Sequence, residues 1–458
     1  MSAPETATAG QSSDGSAIPA GGSRRAVATV VAIVFIDLLG FGIVIPILPF
    51  YVRSFGVSDV FIGLLAASYS LTQFVFAPYL GQLSDQRGRR PVLMLSLAGS
   101  AVAWTVFGLA AETTALFGVV GGLATLFASR MLAGAMGGNI AAAQAYIADV
   151  TPADRRAASL GLVGAAFALG FVFGPAIGGV FASDAVVSTA AGIFPSFVPA
   201  TVFSLPSFAA AGFSLLALVA AGLFLSEPER QRTAARRAGL VSQFADALRN
   251  TNLRGLVVAF FVVSVAFSGI QVMFIPYAAD IYGYDATQAA FLLTYIGVLG
   301  VLNQGILVGQ LSKRYRDSSI AVAGASLLLV ALGTIPFAPE IGRALLPTVG
   351  GLPWLTRELL ALLVLLAGLS VGNSLLNVAL STLVSRSASA DEQGSAFGVT
   401  QGAGSLGRTI GPPAMAALYA VVAYWSPFLV GALLIVPIVA ILVGIARAGL
   451  SGPAEPAT

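Results

Sequence analysis

Apolar residues run along this chain almost without pause from Ala26 to Ile445, in long stretches broken by short polar segments. A helix of about twenty apolar residues crosses the roughly 30 Å hydrocarbon core of a bilayer. The runs predict twelve membrane-spanning helices, over about 26–51, 60–83, 91–110, 121–147, 157–181, 202–225, 255–279, 286–311, 319–337, 357–384, 394–420 and 425–447. Strands of a membrane barrel alternate apolar and polar residues over short segments. Stretches such as Leu359 to Leu369 are continuously apolar instead, so the backbone groups must be satisfied within helices. The fold class is all-α and membrane-embedded.

Composition agrees, because 57% of the 458 residues are hydrophobic and only 9% charged, against about a quarter charged in a soluble domain. The chain has no cysteine and no histidine. Disulfides, thiol chemistry and the usual zinc or haem ligands are thereby excluded, no metal or cofactor is expected, and proton handling falls to Asp, Glu or water. With those nucleophiles and bases missing and no paired carboxylates evident, an embedded enzyme is the least attractive reading. Nothing in the sequence points to nucleic acid.

Residues 1–23 are mostly Ser, Ala, Gly, Thr and Pro, a composition that reads as a disordered tail. Ser23-Arg24-Arg25 imitates a twin-arginine export signal, but the following apolar run continues past Asp37 to Tyr51 without a cleavage site and reads as a first span. Basic residues test the layout independently. With the tail inside, most arginines fall in cytoplasmic segments, among them Arg87, Arg89, Arg90, Arg155, Arg156, Arg314 and Arg316, and only Arg53, Arg343 and Arg357 fall outside. The positive-inside rule then predicts a multi-pass plasma-membrane protein with both termini cytoplasmic. The charged stretch 227–254 reads as a cytoplasmic linker between six-helix bundles at 24–226 and 255–447, followed by a tail at 448–458. Internal repetition supports two related halves: Gly81-Gln82-Leu83-Ser84-Asp85 recurs as Gly309-Gln310-Leu311-Ser312-Lys313, and Gly174-Pro175 stands at the same offset from Pro152 as Gly411-Pro412 does from Ser389.

The segment Gly81-Gln82-Leu83-Ser84-Asp85-Gln86-Arg87-Gly88-Arg89-Arg90-Pro91 strongly resembles the signature loop of the major facilitator superfamily. The span-five pattern Gly170 to Gly179 also lies where that superfamily has it, and within the superfamily Asp37 to Pro49 in span one and Gln73 to Pro78 in span two most resemble the twelve-span drug/proton antiporters, especially the tetracycline-efflux branch. The resemblance implies two pseudo-symmetric six-helix bundles. It also implies a latch at the cytoplasmic gate involving Gly81, Asp85, Arg89, Arg90 and Asp149, in which Asp85 meets the start of span eleven when the inner side closes. Arg89 can reach a carboxylate such as Asp149; an ordinary basic loop that fixes topology is the plainer alternative. Gly170, Gly174 and Gly178 beside Pro175 place small residues on one helical face, for close packing against a neighbour. In the family that pattern accompanies a bend and export.

Asp37 is the sharpest single residue. Counted from Ala26 at about 1.5 Å per residue it sits roughly 16 Å deep, near mid-bilayer, where a carboxylate can exchange a proton as substrate comes and goes. Its plainer role is a partner for a buried arginine. Arg130 matches the arginine the family places in span four, with an implied part in proton coupling, whereas Arg408 in span eleven reads as a structural charge. Polar residues that suit the wall of a substrate cavity are Tyr69, Gln73, Asn139, Gln144, Gln271, Asn303, Gln304, Asn373 and Asn377. Where tetracycline antiporters carry an acid in span three this chain has Ala103, and where they carry a histidine in span eight it has Gly300. The expected function is proton-driven export of a small amphiphilic or drug-like molecule by alternating access, by a monomer whose partners are that substrate, protons and the lipid bilayer. The alternatives are a proton-coupled uptake symporter and a transport-inactive sensor.

Overall fold

The computed structural model describes residues 20–137, 139–228, 249, 251–347, 355–387 and 393–447. Both expected tails apart from 20–23, and nearly all of the expected linker, lie outside the described residues. What is described is helical, without a strand.

Span one is formed by α1 (Ala20–Val44) and the short α2 (Leu48–Ser54). It is followed by α3 (Val60–Arg87), α4 (Arg89–Gly108), α5 (Ala110–Met136), α6 (Asn139–Val150), α7 (Ala153–Phe181), a peripheral α8 (Asp184–Ile193) and α9 (Ser204–Phe224). The second half comprises α10 (Thr251–Tyr282), α11 (Ala286–Leu302), α12 (Val308–Leu311), α13 (Asp317–Thr334), α14 (Ala338–Leu345), α15 (Arg357–Ser387), α16 (Gln393–Val421) and α17 (Ser426–Arg447). Eleven of the described helical segments are long and apolar enough to cross a membrane. The remaining span is α16, which is 29 residues long; its glycines together with Gln401 and Arg408 dilute its hydropathy without breaking it.

Two expected single helices are divided. Span four, expected over 121–147, breaks at Gly137 between α5 and α6, and it is preceded by a helical segment from Ala110 that bends at Gly118, whose φ of 70° only glycine adopts cheaply. Span eight carries a π-helical turn over Asn303–Leu307 between α11 and α12, a device that shifts side-chain register inside a helix.

The halves repeat one packing scheme. In the first, α1 packs on α7 and α4 on α9; in the second, the equivalent pairs are α10 with α16 and α13 with α17. Between halves the principal contacts join α3 to α16 and α7 to α11. Large apolar residues such as Leu116, Phe117, Val120, Leu223 and Leu433 remain exposed on the outside, which suits lipid rather than water.

The small residues of α7 are where α1 comes close. A Cβ at Gly174 would stand 2.6 Å from the Gly42 Cα, and one at Gly178 would overlap the carbonyl oxygen of Ile43. Lacking side chains, these positions let two backbones touch. Gly81 behaves differently. A Cβ there would meet open space, so no neighbouring helix comes close to Gly81 in this conformation.

Candidate transport cavity

The halves meet on the face away from the first and last described residues, Ala20 and Arg447. Arg53, at the end of α2, donates through Nε and Nη2 to Asp59 at 2.8 and 2.7 Å, and through Nη1 and Nη2 to Asp280 at 2.7 and 2.9 Å. Asp280 closes α10 and also accepts from the Tyr419 hydroxyl of α16 at 2.6 Å. Nearby, the Thr287 hydroxyl donates to the Gly179 carbonyl at 3.0 Å, and Gly63 lies directly against the backbone of Pro412. Toward Ala20 and Arg447 the halves diverge: a Cβ at Gly81, Gly161, Gly164, Gly305 or Gly309 would touch nothing, and Phe76 and Tyr79 are exposed.

Between these faces lies a central cavity with two lobes, of about 500 and 420 Å³. Ile45, Phe167, Phe171 and Gln271 border both lobes. Their size suits a drug-sized molecule.

The larger lobe brings together Asp37 and Phe41 of α1, Tyr69 and Gln73 of α3, Trp104 of α4, Arg130 of α5, Gln271 of α10, and Gln401 and Arg408 of α16. Asp37 is the one carboxylate among the described lining residues of either lobe. It accepts from the buried Ser214 hydroxyl of α9 at 3.2 Å. Arg130 is buried, with its guanidinium carbon 4.7 Å from the ring centre of Tyr69, 5.5 Å from that of Trp104 and 5.8 Å from that of Phe41. Such stacking offsets part of the cost of keeping a cation out of water. Arg408, read from the sequence as a structural charge, stands on the cavity wall, where its Nη2 donates to Ser405 one turn away at 2.8 Å.

The smaller lobe collects Gln304 and Asn373. Asn377 donates to the Asn373 side chain at 2.8 Å, one turn along α15, and the buried Asn303 donates to Ser370 at 3.3 Å. The cavity walls do not include Asn303 or Asn377 among the described residues, and Gln144 is exposed on α6 away from both lobes. The side chain of Asn139 lies outside the described residues.

At the signature loop, Arg89 binds Asp85 at 2.6 Å and Asp149 at 2.9 Å and also donates to Ser84 at 3.1 Å, all within the first half. The backbone N–H groups of Arg89 and Arg90 both donate to Glu227, at 2.7 and 2.8 Å, and Arg90 Nη2 reaches the Gly222 carbonyl at 2.7 Å. Glu227 therefore caps α4 and ties it to the end of α9. Among the described residues no cluster of metal-ligating side chains exists.

Sequence reasoning overlooked the Arg53–Asp59–Asp280–Tyr419 network, the Glu227 cap, the cavity-facing Gln401 and the ring of aromatics around Arg130. Only the last left a readable trace, since Phe41, Tyr69 and Trp104 all fall at mid-span depth.

Comparison with known proteins agrees with this geometry. The family profile described as Major Facilitator Superfamily matches residues 30–354. The chain is 31% identical over 407 residues to the tetracycline resistance protein, class C, of Escherichia coli, covering 87% of this chain and 90% of that one. It is 28% identical to multidrug resistance protein 1 of Bacillus subtilis, over 82% of this chain and 85% of the relative. Among solved structures, the inward-facing, unoccupied bacterial homologue of the human lysosomal transporter Spinster superposes with a TM-score of 0.72 at 13% identity, covering 95% of this chain and all of that one. At that identity the likeness speaks for the fold alone.

Proposed function

This chain belongs to the Major Facilitator Superfamily, is a transporter and not an enzyme, and on that premise we propose that it exports a small amphiphilic compound in exchange for protons by alternating access. The observation that carries the proposal is Asp37, the one carboxylate among the described residues on the wall of a central cavity bounded by helices of both halves. A protonated Asp37 is tolerated in an apolar cavity; a bound substrate that hydrogen-bonds or ion-pairs with it favours the ionised form and releases the proton. Competition for one group links the two fluxes. The nearby Arg130 tunes that competition through its charge.

The arginine distribution supports cytoplasmic chain ends in a plasma-membrane protein, and in that orientation the conformation described here is open inward and closed outward. Arg53 and Asp280 then form the outer latch. Asp85, held by Arg89 within its own half, is positioned to meet the second half when the inner side closes. Export is the direction suggested by the tetracycline and multidrug resistance relatives, while Ala103 and Gly300 argue for a substrate other than tetracycline. The working unit is a monomer in the lipid bilayer.

The test is flux in reconstituted vesicles with an imposed pH gradient. Substrate moving against the proton flow, with protons counted by an internal dye, is the expected result. Substrate moving with the protons would overturn export in favour of uptake, and saturable binding without flux would make the chain a sensor.

A further inference from the structure

The larger lobe carries three formal charges on its described wall, Asp37 against Arg130 and Arg408, and so has a net positive charge. Neither arginine forms an ion pair among the described residues. Arg408 has only the Ser405 hydroxyl of its own helix. Arg130 is 6% exposed, stacks on three rings, and its buried Nε has no hydrogen-bond partner. Burying an arginine such as Arg130 without a counter-charge is costly, and stacking on aromatic rings offsets only part of that cost. A guanidinium is also the group whose planar fork matches a carboxylate or similar anion. Both arginines line the same lobe, together with Tyr69.

We propose that the transported compound is aromatic and carries an anionic group, such as a carboxylate, enolate or sulfonate, which Arg130 and Arg408 bind together. This deepens the export reading and rests on it. The rings of Phe41, Tyr69, Trp104 and Phe171 already contact one another edge-on or tilted around Phe41, and they supply a wall for a planar substrate. The two arginines belong to opposite halves, α5 and α16. Unfilled, they repel across the seam; one anion between them removes that repulsion and helps the halves close over the cargo. Because a bound anion by itself favours a proton on Asp37, exchange also requires the substrate to present an amine or hydroxyl to that carboxylate.

The test is equilibrium binding to the full chain in lipid nanodiscs, without any gradient and with empty nanodiscs subtracted. Three probes of one shape are compared: 2-naphthoate, the neutral 2-naphthamide and the cationic 2-naphthylmethylammonium. The proposal predicts that naphthoate binds tighter than either by about tenfold or more. Arg408→Gln removes the preference, Arg408→Lys keeps part of it, and Arg130→Gln removes it in protein whose thermal unfolding shows it folded. Absent naphthoate binding, equal or tighter binding of the amide or ammonium, or a preference that survives Arg408→Gln would each overturn it. Because no gradient is used, such a failure leaves proton exchange standing, whereas intact naphthoate preference with no proton-driven flux would sink exchange and spare the anion site.

Discussion

Arg53→Gln should loosen the closed face by a predictable amount. Arg53 makes two hydrogen bonds across the seam to Asp280, at 2.7 and 2.9 Å, while its bonds to Asp59 stay within one half. Charge-assisted bonds contribute about 1.5–3 kcal/mol each when buried. Here the Arg53 and Asp280 side chains are 26% and 42% exposed, so screening reduces the pair's share to about 1 kcal/mol. That amounts to about a fivefold shift in the ratio of closed to open conformers. The chain has no cysteine, so spin labels at Ser58→Cys and Val421→Cys, both exposed, report the separation across this face without background. Electron–electron distance measurements should show the ratio of the long- to the short-distance population rising about fivefold in Arg53→Gln. Asp280→Asn should act alike, and the two changes together should add little, because they remove one interaction. High salt should narrow the gap between variant and parent. Unchanged distance distributions would refute the latch.

Other consequences concern packing and capping. Gly178→Ala forces a methyl group onto the Ile43 carbonyl and should lower stability by about 1–3 kcal/mol; Gly161→Ala, with nothing near it, should be neutral or stabilise by up to about 1 kcal/mol through helix propensity. Thermal unfolding in detergent distinguishes the two. Glu227→Ala should cost about 1 kcal/mol by uncapping α4, and Glu227→Gln should recover only part of that, because its one carboxamide oxygen replaces one of the two carboxylate acceptors while its NH2 group faces the other N–H; a chemical denaturation series would show the order Glu, Gln, Ala.

The fold was legible wherever lipid imposes a rule on composition. Apolar runs gave the spans, α16 included although glycines, Gln401 and Arg408 dilute it, and its Gly411-Pro412 echoes Gly174-Pro175 of α7. The depth of Asp37 followed from counting residues at a helical rise. Contacts between distant segments were not legible. Arg53 and Asp280 are 227 positions apart, and each alone looks like a charge at a helix end. Glu227 sat inside what reads as a linker, with nothing to show that it turns back onto Arg89 and Arg90. The break at Gly137 was hidden because glycine pairs also occur inside unbroken membrane helices, and the sequence offers no proline there to force it. Arg408 was misleading for a related reason: a charge in a span needs either a partner or a water-filled cavity, and only geometry distinguishes these.

The most direct test of proton exchange is to compare two modes of transport in Asp37→Asn vesicles. Swapping of labelled for unlabelled substrate at equal pH needs the cavity and the moving halves but no proton, and should persist. Accumulation driven by a pH gradient needs a group that gains and loses a proton at the site, and should fall to the level of protein-free vesicles. Gradient-driven accumulation that survives in Asp37→Asn would contradict the account.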